Sequence, residues 1–231
     1  MPGPGRAILV TLVVLVGLAA AGDYGLRLYT EARLAESARV SLGLPTRPDL
    51  DLRGFPFVLQ FARGRFDRVG VGAERVEAEG LVIDRLDLTF EDVTFDRGAL
   101  LGGGGSITAG EGSGEAELNE EEVSSYLQQQ GVPVRVRFVG PGIEVSTEIN
   151  FDGATTTASS RGRLRLEGRS LVFSPREVEV EGSVGVPAAA LSFELPLPEV
   201  IPGISFHGVS VEEGVAVVEA GLAGAQIEVV R

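Results

Sequence analysis

The residues able to do covalent or metal chemistry are few and scattered. The 231-residue chain holds a single His, His207, and no Cys. One His cannot build a multi-histidine metal site. Without Cys there is no thiolate nucleophile, no disulfide framework and no Cys-ligated zinc or iron–sulfur centre. All 20 basic residues are Arg, which removes a Walker-type phosphate loop and a Schiff-base lysine. No G-x-S-x-G or H-E-x-x-H pattern frames a nucleophile or a zinc ion. His207 follows Phe206 in a strand-like segment and reads as a strand residue.

Carboxylates are plentiful, at 33. A glycosidase needs two of them about 5–10 Å apart, and with so many acids some pair will satisfy that spacing by accident. The absence of Trp and the count of three Tyr leave little for a sugar to stack on. A carboxylate-dependent hydrolase would require a close, buried pair in a polar cleft. The run Glu120-Glu121-Glu122 has a local explanation: Asn119 can cap a helix, Glu122 can complete a capping box, Leu118 can staple to Val123, and the acids suit the positive helix end. The four glycines Gly102 to Gly105, within Gly98–Gly114, lack the context of a phosphate loop and read as a flexible loop between strands. No metal, no cofactor and no catalytic residue is expected.

The formal charge is 20 − 33 = −13, which argues against nucleic acid as a partner and reads as solubility. The exclusive use of Arg, beside abundant Ala, Gly and Val, fits a high-GC bacterial source.

Targeting signals precede any fold. Ala7 to Gly22 is an uncharged run of 16 residues behind Arg6. A spanning helix wants about 20 apolar residues and a secretory signal an apolar stretch of about 7–15. Ala19-Ala20-Ala21 offers a cleavage site. The run is therefore a cleaved signal or an uncleaved membrane anchor, with a buried helix as a third reading. Both leading readings put residues 23–231 outside the cytoplasm, where, without Arg6, they carry 19 − 33 = −14. That charge is not drawn to anionic membrane, so docking needs the N-terminal segment or a local cluster such as Arg63, Arg65 and Arg68.

The positioning elements follow from periodicity. Asp23–Leu44 reads as a helix with Tyr24, Leu28, Ala35, Ala38 and Leu42 on one stripe, ended by Gly43 and Pro45. It either packs on the domain or lies on a membrane. From Leu50 the period becomes two. Phe55, Phe57, Leu59 and Phe61 alternate with Pro56, Val58, Gln60 and Ala62. Val69–Ala73, Ile83–Phe90, Val132–Phe138, Ile143–Phe151, Leu164–Leu166, Val178–Val180, Val209–Val217 and Ile227–Val229 continue the pattern. Such strands have one wet face and belong to antiparallel sheets, with turns at Gly140-Pro141-Gly142, Asp152-Gly153 and Glu213-Gly214. One further short helix spans Asn119 to Gly131. Eleven Phe with many Val and Leu make a large apolar sheet face. If the N-terminal helix does not fill its concavity, an apolar groove remains, and beside a membrane its natural occupant is a lipid chain.

At Gly54-Phe55-Pro56-Phe57, with Gly64 soon after, the chain resembles the actinobacterial envelope family that includes the LmeA phospholipid-binding proteins. Leu195-Pro196-Leu197-Pro198, Ile201-Pro202-Gly203-Ile204, the hairpin around Gly214 with strand Val215–Ala220, and the helix after Leu118 carry the rest. Val200-Ile201-Pro202 departs slightly from the expected Leu-Pro pair. The resemblance covers most of residues 23–231.

It implies an α+β fold: an elongated, strongly curved antiparallel β-sheet, a half-barrel, wrapped around a long N-terminal helix with one further short helix. It also implies a hydrophobic lumen that holds phospholipid acyl chains in the periplasm, serving envelope lipid or lipoglycan upkeep, and it supplies no catalytic residues. Residues 1–22 are then signal or anchor, and 23–231 a single domain. The residues expected to line a lipid groove are Phe55, Phe57, Leu59, Phe61, Phe138, Phe193, Leu195 and Phe206. Gly54 and Pro56 should set a bend beside the aromatic strand, and Pro196, Pro198 and Pro202 an irregular stretch shaping a mouth or edge. The expected partners are a phospholipid or related lipid and a membrane. The competing reading is a membrane-anchored structural adaptor with a filled core.

Overall fold

A computed structural model describes residues 4–41, 44–96, 105–151, 154–175, 177–180, 188–199, 203–224 and 226–229. Gly43, the glycines at 102–104, the Asp152-Gly153 turn and Val200-Ile201-Pro202 lie outside the described residues.

The N-terminal apolar run and the helix expected after it are one element. Helix α1 spans Pro4–Ser41 without a break, since no proline or competing cap interrupts its backbone bonds between them. Among the described residues no helix is long and apolar enough to cross a membrane. Strand β1 (Asp49–Arg53) follows, and then a correction to the sequence reading. The aromatic segment expected as a strand is instead helix α2, Phe57–Arg63. Gly64, at φ 70°, closes α2 in the left-handed conformation, its N–H reaching the carbonyls of Gln60 and Phe61. The start of α2 has a tertiary cause, described below.

Strands β2 (Arg65–Ala78) and β3 (Leu81–Phe95) form the longest hairpin. Its turn uses Glu79 and Gly80 at φ 52° and 84°, the mirror-type geometry whose twist matches the strands. Strands β4 (Gly105–Thr108) and β5 (Glu111–Asn119) come next. Half of the expected glycine loop is therefore strand. The reason is close approach: a Cβ on Gly112 would stand 3.0 Å from Phe90 Cδ1, and one on Gly114 2.5 Å from Leu88 Cδ2. These glycines make room for large neighbours on β3.

Helix α3 (Glu120–Gln129) matches expectation at both ends. The Asn119 side chain accepts from the Glu122 N–H at 2.8 Å. At its close Gly131, at φ 84°, donates to Gln128 O, and Val132 donates to Leu127 O, a Schellman pair. The reciprocal half of the capping box is absent. Glu122 turns to Arg75 at 3.3 Å, and the Glu120 carboxylate accepts from the Phe138 N–H. Leu118 and Val123 are both buried in one core.

The remaining chain is β6 (Arg135–Val139), β7 (Gly142–Phe151), β8 (Ala154–Gly162), β9 (Leu164–Glu167), β10 (Ser170–Phe173), β11 (Glu177–Val180), a 3₁₀ turn at Ala188–Leu191, β12 (Phe193–Pro196), β13 (Ile204–Glu212), β14 (Val215–Ala223) and β15 (Gln226–Val229). All pairings described are antiparallel. One sheet runs β1-β2-β3-β5-β14-β13, with β4 bridging β3 and β15; the others run β12-β10-β9 and β11-β8-β7-β6.

The expected architecture holds: antiparallel sheets, open rather than closed, with a long N-terminal helix. Among the described residues, α2 and α3 make two further α-helices where one was expected. Two apolar cores result. The larger gathers β3, β5, β14, α3, β6–β8, β10 and β12 around Leu118, Leu127, Phe138 and Phe173. The smaller gathers Leu52, Phe57, Phe66, Val93, Phe95, Ala109 and Leu222.

Candidate functional site

Helix α1 is docked by polar groups rather than by the apolar stripe its spacing suggests. Tyr24 and Leu28 of the expected stripe are exposed, whereas Asp23 and Glu31 are each only 9% exposed. The inward face runs Asp23, Arg27, Glu31, then Leu34, Ala35 and Ala38, at helical spacing. The polar residues face inward because unpaired backbone N–H groups wait there. The two Asp23 carboxylate oxygens accept from the Phe57 and Val58 N–H groups, at 2.8 Å each. These are orphan donors of α2, whose own N-cap residue, Pro56, offers no side-chain bond. Glu31 accepts from the Leu52 N–H of edge strand β1 and from Arg27 Nε, both at 2.8 Å. Arg27 also pairs with Asp51. Its guanidinium is held above its usual pKa, first by the Glu31 hydrogen bond.

Past this polar section, Leu34 and Ala38 stand off the sheet. Between them and strands β1–β4 lies a cavity of about 260 Å³. Leu50 and Leu52 of β1 form one wall; Val69 and Val71 of β2 and Phe90 and Val93 of β3 continue it; Phe66, Phe95, Ile107 and Ala109 complete it. Every lining side chain is apolar. Phe66 and Phe95 stack at 4.6 Å between ring centroids, and α2 backs them, Phe57 stacking on Phe66 at 5.6 Å and Phe61 lying 5.9 Å from Phe95. Where α1 ends, Glu36 is gripped by Arg39 and by Arg47 beyond the helix. The Arg39 hydrogen bond, then that of Arg47, lowers the Glu36 pKa from 4.5 to about 2.

A second apolar space beneath Leu197, Pro198, Ile204 and Phe206 holds only about 30 Å³, roughly the share of one water in the liquid. A polar hollow of about 440 Å³ lies by Gln128, Arg135, Glu148 and Thr157. Among the described residues no three His, Cys, Asp or Glu side chains could hold a metal ion. His207 is exposed, and its Nε2 stands 3.3 Å from Ser205 Oγ, which itself bonds the Gly221 carbonyl.

The residues singled out from sequence are distributed as follows. Phe57 and Phe61 form the row behind the apolar cavity under α1. Phe55 and Leu59 are exposed beside them. Phe138, Phe193 and Leu195 are buried in the larger core, Phe193 stacking on Phe173 at 5.7 Å. Phe206 borders the small space. At Gly54 φ is 126°, and a Cβ there would stand 2.0 Å from Gln60 Nε2; Pro56, after a cis bond, leads into α2. Pro196 is exposed at the end of β12, and Pro198 is buried. The lining of the α1–sheet cavity includes none of the eight. Phe90 carried a signal, since the period-two pattern of β3 includes it. Ala38 carried one too, as part of the apolar stripe expected on the N-terminal helix; Leu34, Phe66 and Phe95 carried none, because only the docking of α1 brings them together.

A family model described as LmeA-like phospholipid-binding matches residues 21–221. No curated protein and no solved structure matches the chain.

Proposed function

The chain belongs to the LmeA-like phospholipid-binding family, and from that premise we propose that it holds phospholipid acyl chain in the cavity between α1 and strands β1–β4. The observation that carries the reading is an all-apolar lining around about 260 Å³. That volume lies just below the roughly 300–1,000 Å³ of ordinary ligand pockets. It suits part of an acyl chain, with the head group outside. Each methylene taken from water contributes about 0.8 kcal/mol, so affinity comes from burial and needs no covalent chemistry. The same space weighs against a structural adaptor with a filled core.

On this reading residues 7–22 act as an export signal or insert into a membrane, and residues 23–231 form one domain working outside the cytoplasm in envelope lipid or lipoglycan upkeep. Phe57 and Phe61 hold the aromatic floor of the site in place. Native mass spectrometry of gently purified protein, with lipid extraction, is the test. A bound phospholipid mass is expected. Protein that is lipid-free and cannot be loaded from phospholipid vesicles overturns the proposal.

A further inference from the structure

Helix α2 buries Gln60 beside Phe57 and leaves Val58, Leu59 and Ala62 exposed. Gln60 is buried, its Oε1 accepting from the Asp67 N–H at 2.9 Å. Val58, Leu59 and Ala62 face outward. Phe55, on the turn before the helix, is 75% exposed, and Val58 and Leu59 are 49% and 43% exposed. Adjoining exposed apolar side chains mark a surface that meets a partner or a membrane. Phe66 and Phe95 cover the inner face.

Three observations identify what covers the outer one. Asp23 grips the Phe57 and Val58 amides, so this tip sits beside the point where the uncharged run 7–22 ends, and Val13–Leu18 of that run are exposed as well. Tyr24 stands exposed at the same level, a residue type enriched at membrane–water boundaries. Residues 52–66 carry Arg53, Arg63 and Arg65 and no acid, within a chain of net charge −13. Arg53 and Arg65 are shared with Asp51 and Asp92, while Arg63 forms no ion pair among the described residues. An anionic surface attracts such a tip while repelling the acidic remainder.

We propose that Phe55, Val58 and Leu59, with Arg63 beside them, form a membrane-docking tip that enters an anionic lipid surface. The lipid-binding reading supplies its purpose. Leu34 lies 11 residues along α1 from Asp23, about 16 Å at 1.5 Å per residue. That is close to one leaflet of a hydrocarbon core about 30 Å thick. A lipid whose head stays at the tip can lay its chain along α1 into the cavity.

The chain has no Trp, so Phe55→Trp provides a single emitter at the tip, and Val139→Trp, at the exposed end of β6, a control. Each full-length variant is mixed with vesicles of equal parts phosphatidylcholine and phosphatidylglycerol. For Phe55→Trp the expected result is a blue shift and quenching by lipid brominated on its acyl chains. Val139→Trp should show neither, and adding Val58→Gln and Leu59→Gln to Phe55→Trp should abolish both. Several results overturn the proposal: no co-sedimentation with vesicles, co-sedimentation with Phe55→Trp emission unmoved, equal shifts in both reporters, or a blue shift without vesicles in a dimer seen by light scattering. Lipid extracted from the same samples reports on the cavity separately. Carried lipid with an unmoved reporter sinks the docking tip and leaves the lipid-binding reading standing.

Discussion

The Asp23 carboxylate accepts a 2.8 Å hydrogen bond from the backbone N–H of Phe57, across 34 residues of sequence. A side chain of one helix thereby starts another. The α2 segment looks like a strand by its alternation, and this contact supplies the cap that its Pro56 cannot.

Asp23→Ala should therefore cost about 0.5–2 kcal/mol of stability, the range for losing a helix N-cap. Urea unfolding measures the loss. Hydrogen exchange should show faster opening at Phe57 and Val58 with strands β7 and β8 unchanged. Asp23→Asn, which keeps one acceptor, should lose less. Equal stability of the Ala variant would mean that water serves those amides as well.

Gly54→Ala should be more damaging than its size suggests. At φ 126° an L side chain is strained by about 1–3 kcal/mol. The added Cβ would also meet the Gln60 amide at 2.0 Å, disturbing its bond to Asp67. Thermal unfolding should fall accordingly, and Gly168→Ala, at φ 63° with open space around it, should cost less.

Filling the cavity separates ligand binding from folding. Ala38→Phe places a ring in an all-apolar space of about 260 Å³. The melting temperature should hold or rise, because cavity filling commonly stabilises by about 0.5–2 kcal/mol. The lipid recovered per protein should fall sharply. Undiminished lipid in a stably folded variant would place the ligand elsewhere.

The grip on Glu36 has a sign that can be worked out. Its folded pKa lies below its ordinary value, at about 2 against 4.5. The unfolded chain thus binds the extra proton first. The contribution is present above about pH 4.5 and is lost as pH falls toward 2. Because the carboxylate is exposed, its effect on stability is small, and NMR titration is the better measurement. The midpoint should lie well below that of an ordinary Glu and return toward it in Arg39→Ala, because the Arg39 hydrogen bond is the largest cause of the shift.

Much of the fold was legible locally. Period-two alternation marks β2, β3, β6 and β7 because a strand with one buried face must alternate. Asn119 and Gly131 bound α3 because caps and left-handed turns are decided within a few residues. The absence of thiol and lysine chemistry and the family resemblance were likewise readable from residue types and order. The tertiary structure decided the rest. Residues 55–61 became a turn and helix because Asp23 reaches their amides. The inward face of α1 begins with Asp23 and Glu31 rather than Tyr24 and Leu28, because the N–H groups of Phe57, Val58 and Leu52 need acceptors there. The cavity exists because α1, held at those points, leaves Leu34 and Ala38 standing off Phe66 and Phe95. A hydrogen bond between residues 34 apart and an unfilled volume between a helix and a sheet are properties of packing in space, and no local pattern encodes them.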